Sequence, residues 1–262
     1  MYRFLLTPRW LGLAVVAVVL AGFGLQLGSW QFDRRTERLS DNARIERNLA
    51  APPVPLGSLG LEGSDLVDDG LEWRSVTLAG RYDEQGQLVV RNQSRDSGPG
   101  VSVLAPLHMP DGTSVLVERG WLSTATSSSG VPDTDPPPVG PVTVTGWLRA
   151  DSAAGESATV PVDGTVRAVA SAQVAESLGY PLLPGYVALT EQQPPPDGAL
   201  AGPEPPDLGQ GPHFFYGLQW WFFGLLAPVG YAWFAYVEAH PRTRSRAPRS
   251  AGRSPDTQVR VD

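Results

Sequence analysis

The chain has 262 residues, a formal net charge of −7 and no cysteine, so disulfides, thiolate metal sites and cysteine nucleophiles are excluded. The acidity is uneven: residues 33–212 hold 12 Arg against 24 Asp and Glu, whereas residues 239–262 hold six Arg against two Asp. An acidic central region argues against nucleic acid as a partner, and the complete absence of Lys among 20 basic residues is a coding bias that points to a bacterial source.

Residues 1–9 carry Arg3 and Arg9 and precede an uncharged run from Trp10 to Trp30. As a helix those 21 residues span about 31 Å, close to the ~30 Å hydrocarbon core of a bilayer. The run exceeds the ~7–15 residues of a signal-peptide core and no Ala-x-Ala site follows, so it reads as an uncleaved anchor with interfacial tryptophans at both ends. Residues 31–50 continue as a polar helix. Arg34 with Glu37 and Arg38 with Asp41 support it at three-residue spacing, and Pro52-Pro53 stops it.

Residues 51–191 switch to alternating patterns. Strands are predicted over 72–78, 87–91, 101–108, 114–119, 142–148, 165–169 and 185–189, with a short helix over 172–178 capped by Ser171. Short strands at this density favour a small antiparallel barrel or sandwich. Residues 123–141 form a long polar loop within that domain. Residues 192–212, with seven prolines, read as an extended linker.

The second uncharged run, 213–237, has 11 of the chain's 23 aromatic residues. It is long enough to cross a bilayer, and it is followed by a basic tail, 238–262, that composition reads as disordered. The fold class predicted is therefore a membrane protein whose two transmembrane helices flank a β-rich α+β domain. Arg3, Arg9 and the tail arginines favour both termini in the cytoplasm and an extracytoplasmic main domain. Arg34, Arg35, Arg38, Arg44 and Arg47 count against this orientation, but long segments translocate largely regardless of charge.

Motifs for catalysis are absent: no HExxH, no Gly-x-Ser-x-Gly and no phosphate-binding Gly-rich loop. The chain reads as a non-enzyme. Glu62, Asp65, Asp68 and Asp69 read as a solvated acidic turn rather than a cation site, and Asp133 with Asp135 lies in a poor loop for catalytic geometry. His108 and His240 read as loop or interface residues. His213 has Tyr216, Gly217, Trp220 and Gly224 at i+3, i+4, i+7 and i+11, all on one helical face. Such a face, with glycine gaps and flat rings, suits a heme iron ligand, and it equally suits an interfacial anchor or packing against the first span. Gln26, Gln31 and Gln219 lie in or beside the spans, where an amide bonded across helices avoids a desolvation cost.

The combination resembles the surfeit locus protein 1 family of cytochrome c oxidase assembly factors. The resemblance rests on six stretches in order: Leu27-Gly28-Ser29-Trp30-Gln31 through Arg34; Trp73-Arg74 to Gly80-Arg81-Tyr82; Gly100 to Leu107; Val115 through Arg119-Gly120-Trp121; Val142 to Arg149; and His213 with Tyr216 and Trp220. Gly211 departs from it, standing where an Asn often precedes the histidine. The resemblance implies a two-pass protein of the bacterial plasma membrane that acts in respiratory-chain biogenesis. It would assist heme a delivery to oxidase subunit I, alongside other assembly factors and within the lipid bilayer. It implies His213 as a transient heme iron ligand, with Tyr216 and Trp220 lining the heme. Trp30, Gln31, Arg34, Arg119, Gly120 and Trp121 would be structural or partner-contacting. The alternatives are a cofactor-free scaffold for oxidase assembly intermediates, an accessory bound to the oxidase, and an unrelated membrane-anchored sensor.

Overall fold

A ring of five strands closes through a single short pairing. In the computed structural model, which describes residues 2–62, 66–124, 134–196, 198 and 200–240, the chain divides into two units, residues 1–36 with 210–262 and residues 37–209. The second unit contains β1 (Val54–Pro55), β2 (Ser75–Tyr82), β3 (Leu88–Arg95), β4 (Gly98–His108), β5 (Ser114–Ser123), β6 (Pro141–Arg149), β7 (Thr165–Val166) and β8 (Tyr186–Gln193). Their order is β1-β2-β6-β8-β5-β4-β3-β7. Pairing of Arg81 with His108 and of Tyr82 with Leu107 joins β2 to β4 and closes the ring. Closure pairs the ends of β2 and β4 that β1 and β3 leave uncovered.

The barrel alternative holds, but the sheet is mixed rather than antiparallel. β5 and β8 run parallel, as do β1 with β2 and β3 with β7. Between β5 and β8 the chain passes through β6, α2 (Glu156–Thr159), β7 and α3 (Ser171–Leu178). That detour is long enough to return it to the same end of the sheet, which a hairpin is not. The predicted cap at Ser171 shifts by one residue: Ala170 is the N-cap. The Ser171 hydroxyl and amide instead donate to the two carboxylate oxygens of Asp151. Residues 125–133 of the predicted loop, and 241–262 of the predicted disordered tail, lie outside the described residues.

Alternation decides what faces the ring's interior. In β6, Val142, Val144 and Leu148 are buried between more exposed neighbours. They join Val76, Leu107, Val115, Val117 and Val187 in one core. A second, smaller core forms outside the ring, where Val174 of α3 packs with Leu88, Leu104 and Leu116. Each fully buried aliphatic side chain contributes about 1.5–3 kcal/mol.

In the same unit, α1 (Pro8–Ala50) supplies its polar end. Asn42 is buried and its amide donates to the Leu208 carbonyl at 2.7 Å, while Arg38 reaches Asp207 at 3.0 Å and the Gly209 carbonyl at 3.1 Å. Asn48 donates to the carbonyls of Gly70 and Glu72, both at 2.8 Å. The polar residues after Thr36 are thus used to tie down irregular backbone.

Leu148 has no exposed surface. Leu148→Ala should lower unfolding stability by about 2–5 kcal/mol, read by thermal unfolding in detergent. A change under about 0.5 kcal/mol, typical of surface substitutions, would mean that the ring interior is not the core.

Candidate functional site on the helix pair

The first unit is built from the apolar part of α1 and from α4 (His213–Ala239). Both are long and apolar enough to cross a membrane, with mean hydropathy of 2.2 and 1.2 over their most apolar windows. Their contact is made by small residues. On α1, Trp10, Ala17, Gly24 and Gln31 recur every seven positions, with Ala21 and Gly28 interleaved. Gly217, Gly224 and Ala235 are the buried residues of α4. A Cβ at Gly24 would lie 2.6 Å from the Gly224 Cα, and one at Gly28 would lie 2.1 Å from the Trp221 ring. Only glycine allows that approach, and close backbone packing is what associates helices without a hydrophobic driving force.

The approach brings two polar side chains together. His213 Nδ1 lies 2.8 Å from Gln31 Oε1. An amide oxygen only accepts, so Nδ1 donates, and in the neutral imidazole the lone pair is then on Nε2. Gly211, two residues earlier, has φ of +66°, the left-handed region that glycine enters freely and asparagine tolerates. Glycine at 211 therefore allows the backbone turn that starts α4.

Cationic and aromatic groups surround this pair. Arg35, one turn beyond Gln31, donates to Gln210 Oε1 at 3.1 Å, and its guanidinium lies 5.6 Å from the Phe214 ring. Phe32 packs against Phe214 and Trp221, with ring centroids 6.1 and 4.7 Å apart. Arg34 lies 5.7 Å over the ring of the exposed Trp30.

The single face expected below His213 divides in two. A Cβ at Gly217 would lie 2.8 Å from Phe32, and one at Gly224 would lie 3.2 Å from the Ala21 carbonyl. Helix α1 therefore fills both glycine gaps. Tyr216 stays exposed, and Trp220 is half-buried beside Phe223 at 6.3 Å. Gln26 and Gln219 are exposed and make no hydrogen bond among the described residues, so of the three amides only Gln31 bonds across the helices. Sequence reasoning named Gln31 and His213 separately and missed that they meet. The signal that aligns them is the recurrence of Ala17, Gly24 and Gln31 at seven-residue spacing, with Ala21 and Gly28 between.

Arg119, Gly120 and Trp121 lie in the other unit, on β5. Arg119 is 4% exposed and donates to Gln87 Oε1 at 2.7 Å, to the Asp135 carbonyl at 2.8 Å and to the Pro136 carbonyl at 3.2 Å. Burial pulls its pKa below the ordinary guanidinium value, against the opposing influence of Tyr82 and Asp135. Trp121 exchanges two backbone hydrogen bonds with Ala201, and a Cβ at Gly120 would lie 2.7 Å from the Ala201 carbonyl. The Trp121 indole donates to the Gln93 carbonyl at 2.8 Å, with Arg95 4.9 Å over its ring. These three residues fasten loops to the sheet.

Two further clusters resemble sites less well. Ser114, His108 and Asp83 have the composition of a catalytic triad, but Ser114 is buried and bonds to His108 Nδ1, while His108 Nε2 stands 4.0 Å from Asp83. Asp83 is partly desolvated, yet the hydroxyl of Tyr180 and the amides of Gln85 and Gly86 hold its carboxyl below the ordinary value. Of the acidic turn, Asp68 accepts from the Gly70 amide at 2.7 Å, and Asp65 lies outside the described residues, as does Asp133. Among the described residues no group of three His, Asp or Glu is placed to hold a metal ion.

Comparison with known proteins places this geometry. The model of the SURF1 family matches residues 16–225. An uncharacterised SURF1-like protein of Mycobacterium tuberculosis is 37% identical over 249 residues, 93% of this chain and 90% of its own. Surfeit locus protein 1 of Mus musculus is 29% identical over 123 residues, 41% of this chain and 38% of its own. A SURF1-like protein of Dictyostelium discoideum is 30% identical over 107 residues, 39% of this chain and 40% of its own. The chain belongs to the SURF1 family. The family match includes Gln31, Arg119, His213, Tyr216 and Trp220, and stops short of the last turns of α4.

Two substitutions separate the structural roles within this SURF1 chain. Gly28→Val should overpack the helix pair and cost about 1–3 kcal/mol, with a shift in Trp221 fluorescence; unchanged stability would contradict the close approach. Arg119→Ala removes three hydrogen bonds made by a buried charged group, each contributing about 1.5–3 kcal/mol. Thermal unfolding should show a clear loss, and wild-type stability would show that the loops are held by other contacts.

Proposed function

We propose that this chain is a two-pass protein of the bacterial plasma membrane, with both termini in the cytoplasm, that assists assembly of cytochrome c oxidase. In this reading it takes heme a transiently at His213 and passes it toward subunit I. The supporting observation is the hydrogen bond between His213 Nδ1 and Gln31 Oε1. Metal-bound histidines characteristically donate their second ring N–H to an acceptor, which fixes the tautomer and raises the basicity of the ligating nitrogen. The residues present fit such a group: a lone pair on Nε2, rings on exposed Tyr216 and half-buried Trp220, and a neighbouring guanidinium. Heme a supplies the iron centre that the oxidase needs.

What the chain's own residues do is hold and orient. Gln31 selects the tautomer of the neutral imidazole that carries its proton on Nδ1, and it limits the ring's rotation. Gly24 and Gly28 set the helix spacing that keeps Gln31 within reach. His213 would hold the iron as the single protein ligand offered here, an attachment that suits transfer rather than storage. The filled gaps at Gly217 and Gly224 favour a second reading, a scaffold that binds oxidase subunits and no cofactor, because they remove part of the flat face that a macrocycle would use.

His213→Ala, purified in detergent from cells making heme a, should lose its heme absorbance while retaining thermal stability. Gln31→Leu should weaken heme affinity by about 10–100-fold, the usual effect of removing a histidine's outer partner. A full heme spectrum in His213→Ala would rule out this ligand. A wild-type protein without heme would favour the scaffold.

A further inference from the structure

Arg35 is half-buried, and one of its donors, Nε, is enclosed by the protein without being used. A guanidinium carries five N–H donors. Among the described residues Arg35 makes one hydrogen bond, from Nη2 to Gln210 Oε1, and its Nε is buried with no partner. Its guanidinium also lies 5.6 Å from the Phe214 ring, which satisfies no N–H. Leaving a buried charged donor unpaired costs free energy that folding has no reason to spend. The nearest acid in sequence, Asp33, is exposed, and residues two apart on a helix do not face each other.

Placement gives the orphaned donor a purpose. Arg35 follows Gln31 by four residues, so both lie on one stripe of α1, about 6 Å apart along the axis. Gln31 holds the imidazole of His213 at 2.8 Å, and Arg35 touches the residues on either side of that histidine, Gln210 and Phe214. A ligand that met Nε2 of His213 and carried carboxylates at its rim would bring an anionic oxygen toward Arg35. Guanidinium and carboxylate form paired, charge-assisted hydrogen bonds. Arg34, engaged with Trp30, lies on a different side of the helix.

We propose that Arg35 is a carboxylate subsite, binding a propionate arm of the porphyrin whose iron His213 takes; this rests on the heme reading of the same site. The Phe214 face holds the guanidinium in position, and Gln210 orients its fork. The arginine would therefore contribute orientation as well as affinity, since a carboxylate contact at Arg35 and the His213 contact would together restrict how the porphyrin turns.

The test uses the full-length protein in detergent, titrated with hemin and with hemin dimethyl ester, whose carboxylates are blocked. Soret absorbance reports binding. Wild type should bind hemin more tightly than the ester by on the order of tenfold. Arg35→Gln should bind both about equally, and Arg35→Lys should restore part of the preference. Equal binding of hemin and ester by wild type overturns the subsite without needing any variant to fold. His213→Ala decides the underlying reading separately: undiminished binding of both porphyrins there means that the histidine is not the ligand, whatever Arg35 does. A lipid phosphate is the other anionic oxygen within chemical reach. If added phosphatidylglycerol abolishes the preference for hemin over ester, the guanidinium belongs to lipid and the proposal fails.

Discussion

Everything distinctive about the helical unit follows from how closely two helices approach at Gly24 and Gly224. With any larger residue at Gly24, a Cβ would collide with the facing backbone at 2.6 Å. That spacing seats Trp221 over Gly28 and Phe32 over Gly217, and one heptad beyond Gly24 it delivers Gln31 to His213. The hydrogen bond formed there is a consequence of packing, because neither side chain could find the other across a wider gap. In an apolar surrounding such a bond also carries more weight than it would in water, since the alternative is an unpaired polar group.

The β unit uses its conspicuous residues differently. Arg119, Gly120 and Trp121 lie in one of the six stretches that carry the resemblance, and each serves neighbouring backbone: the arginine bonds the carbonyls of 135 and 136, the tryptophan pairs with Ala201, and the glycine lets Ala201 approach. The resemblance leaves these residues either structural or partner-contacting. Their burial and their hydrogen-bond partners point to architecture. The same economy appears in Asn42 and Asn48, whose amides satisfy carbonyls of irregular segments that would otherwise lack donors.

Much of the fold was legible because it rests on periodicity. Both apolar helices, and every strand of three residues or more, lie where alternation and uncharged length place them. β1 escaped because two residues show no period, and its parallel pairing with β2 depends on long-range contact. The mixed character of the sheet escaped for the same reason: parallel pairing of β5 with β8 is set by topology, not by local pattern. The site was legible only in pieces. Helical register placed Gly217 and Gly224 below His213 correctly but could not tell a gap awaiting a ligand from one occupied by a neighbouring helix. Arg35 left no sequence signal, being one of several arginines in a polar stretch, and its significance lies in a buried Nε that only three-dimensional placement reveals.

The central claim is that Gln31 fixes the tautomer of His213 and leaves Nε2 open. Nitrogen NMR of histidine-labelled protein in lipid reads this directly, because the chain has only three histidines and each can be assigned by substitution. The account predicts a protonated Nδ1 and an unprotonated Nε2 for His213 in the heme-free protein, with that distinction lost in Gln31→Leu. A His213 protonated at Nε2, or one whose two nitrogens average in the wild type, would contradict it.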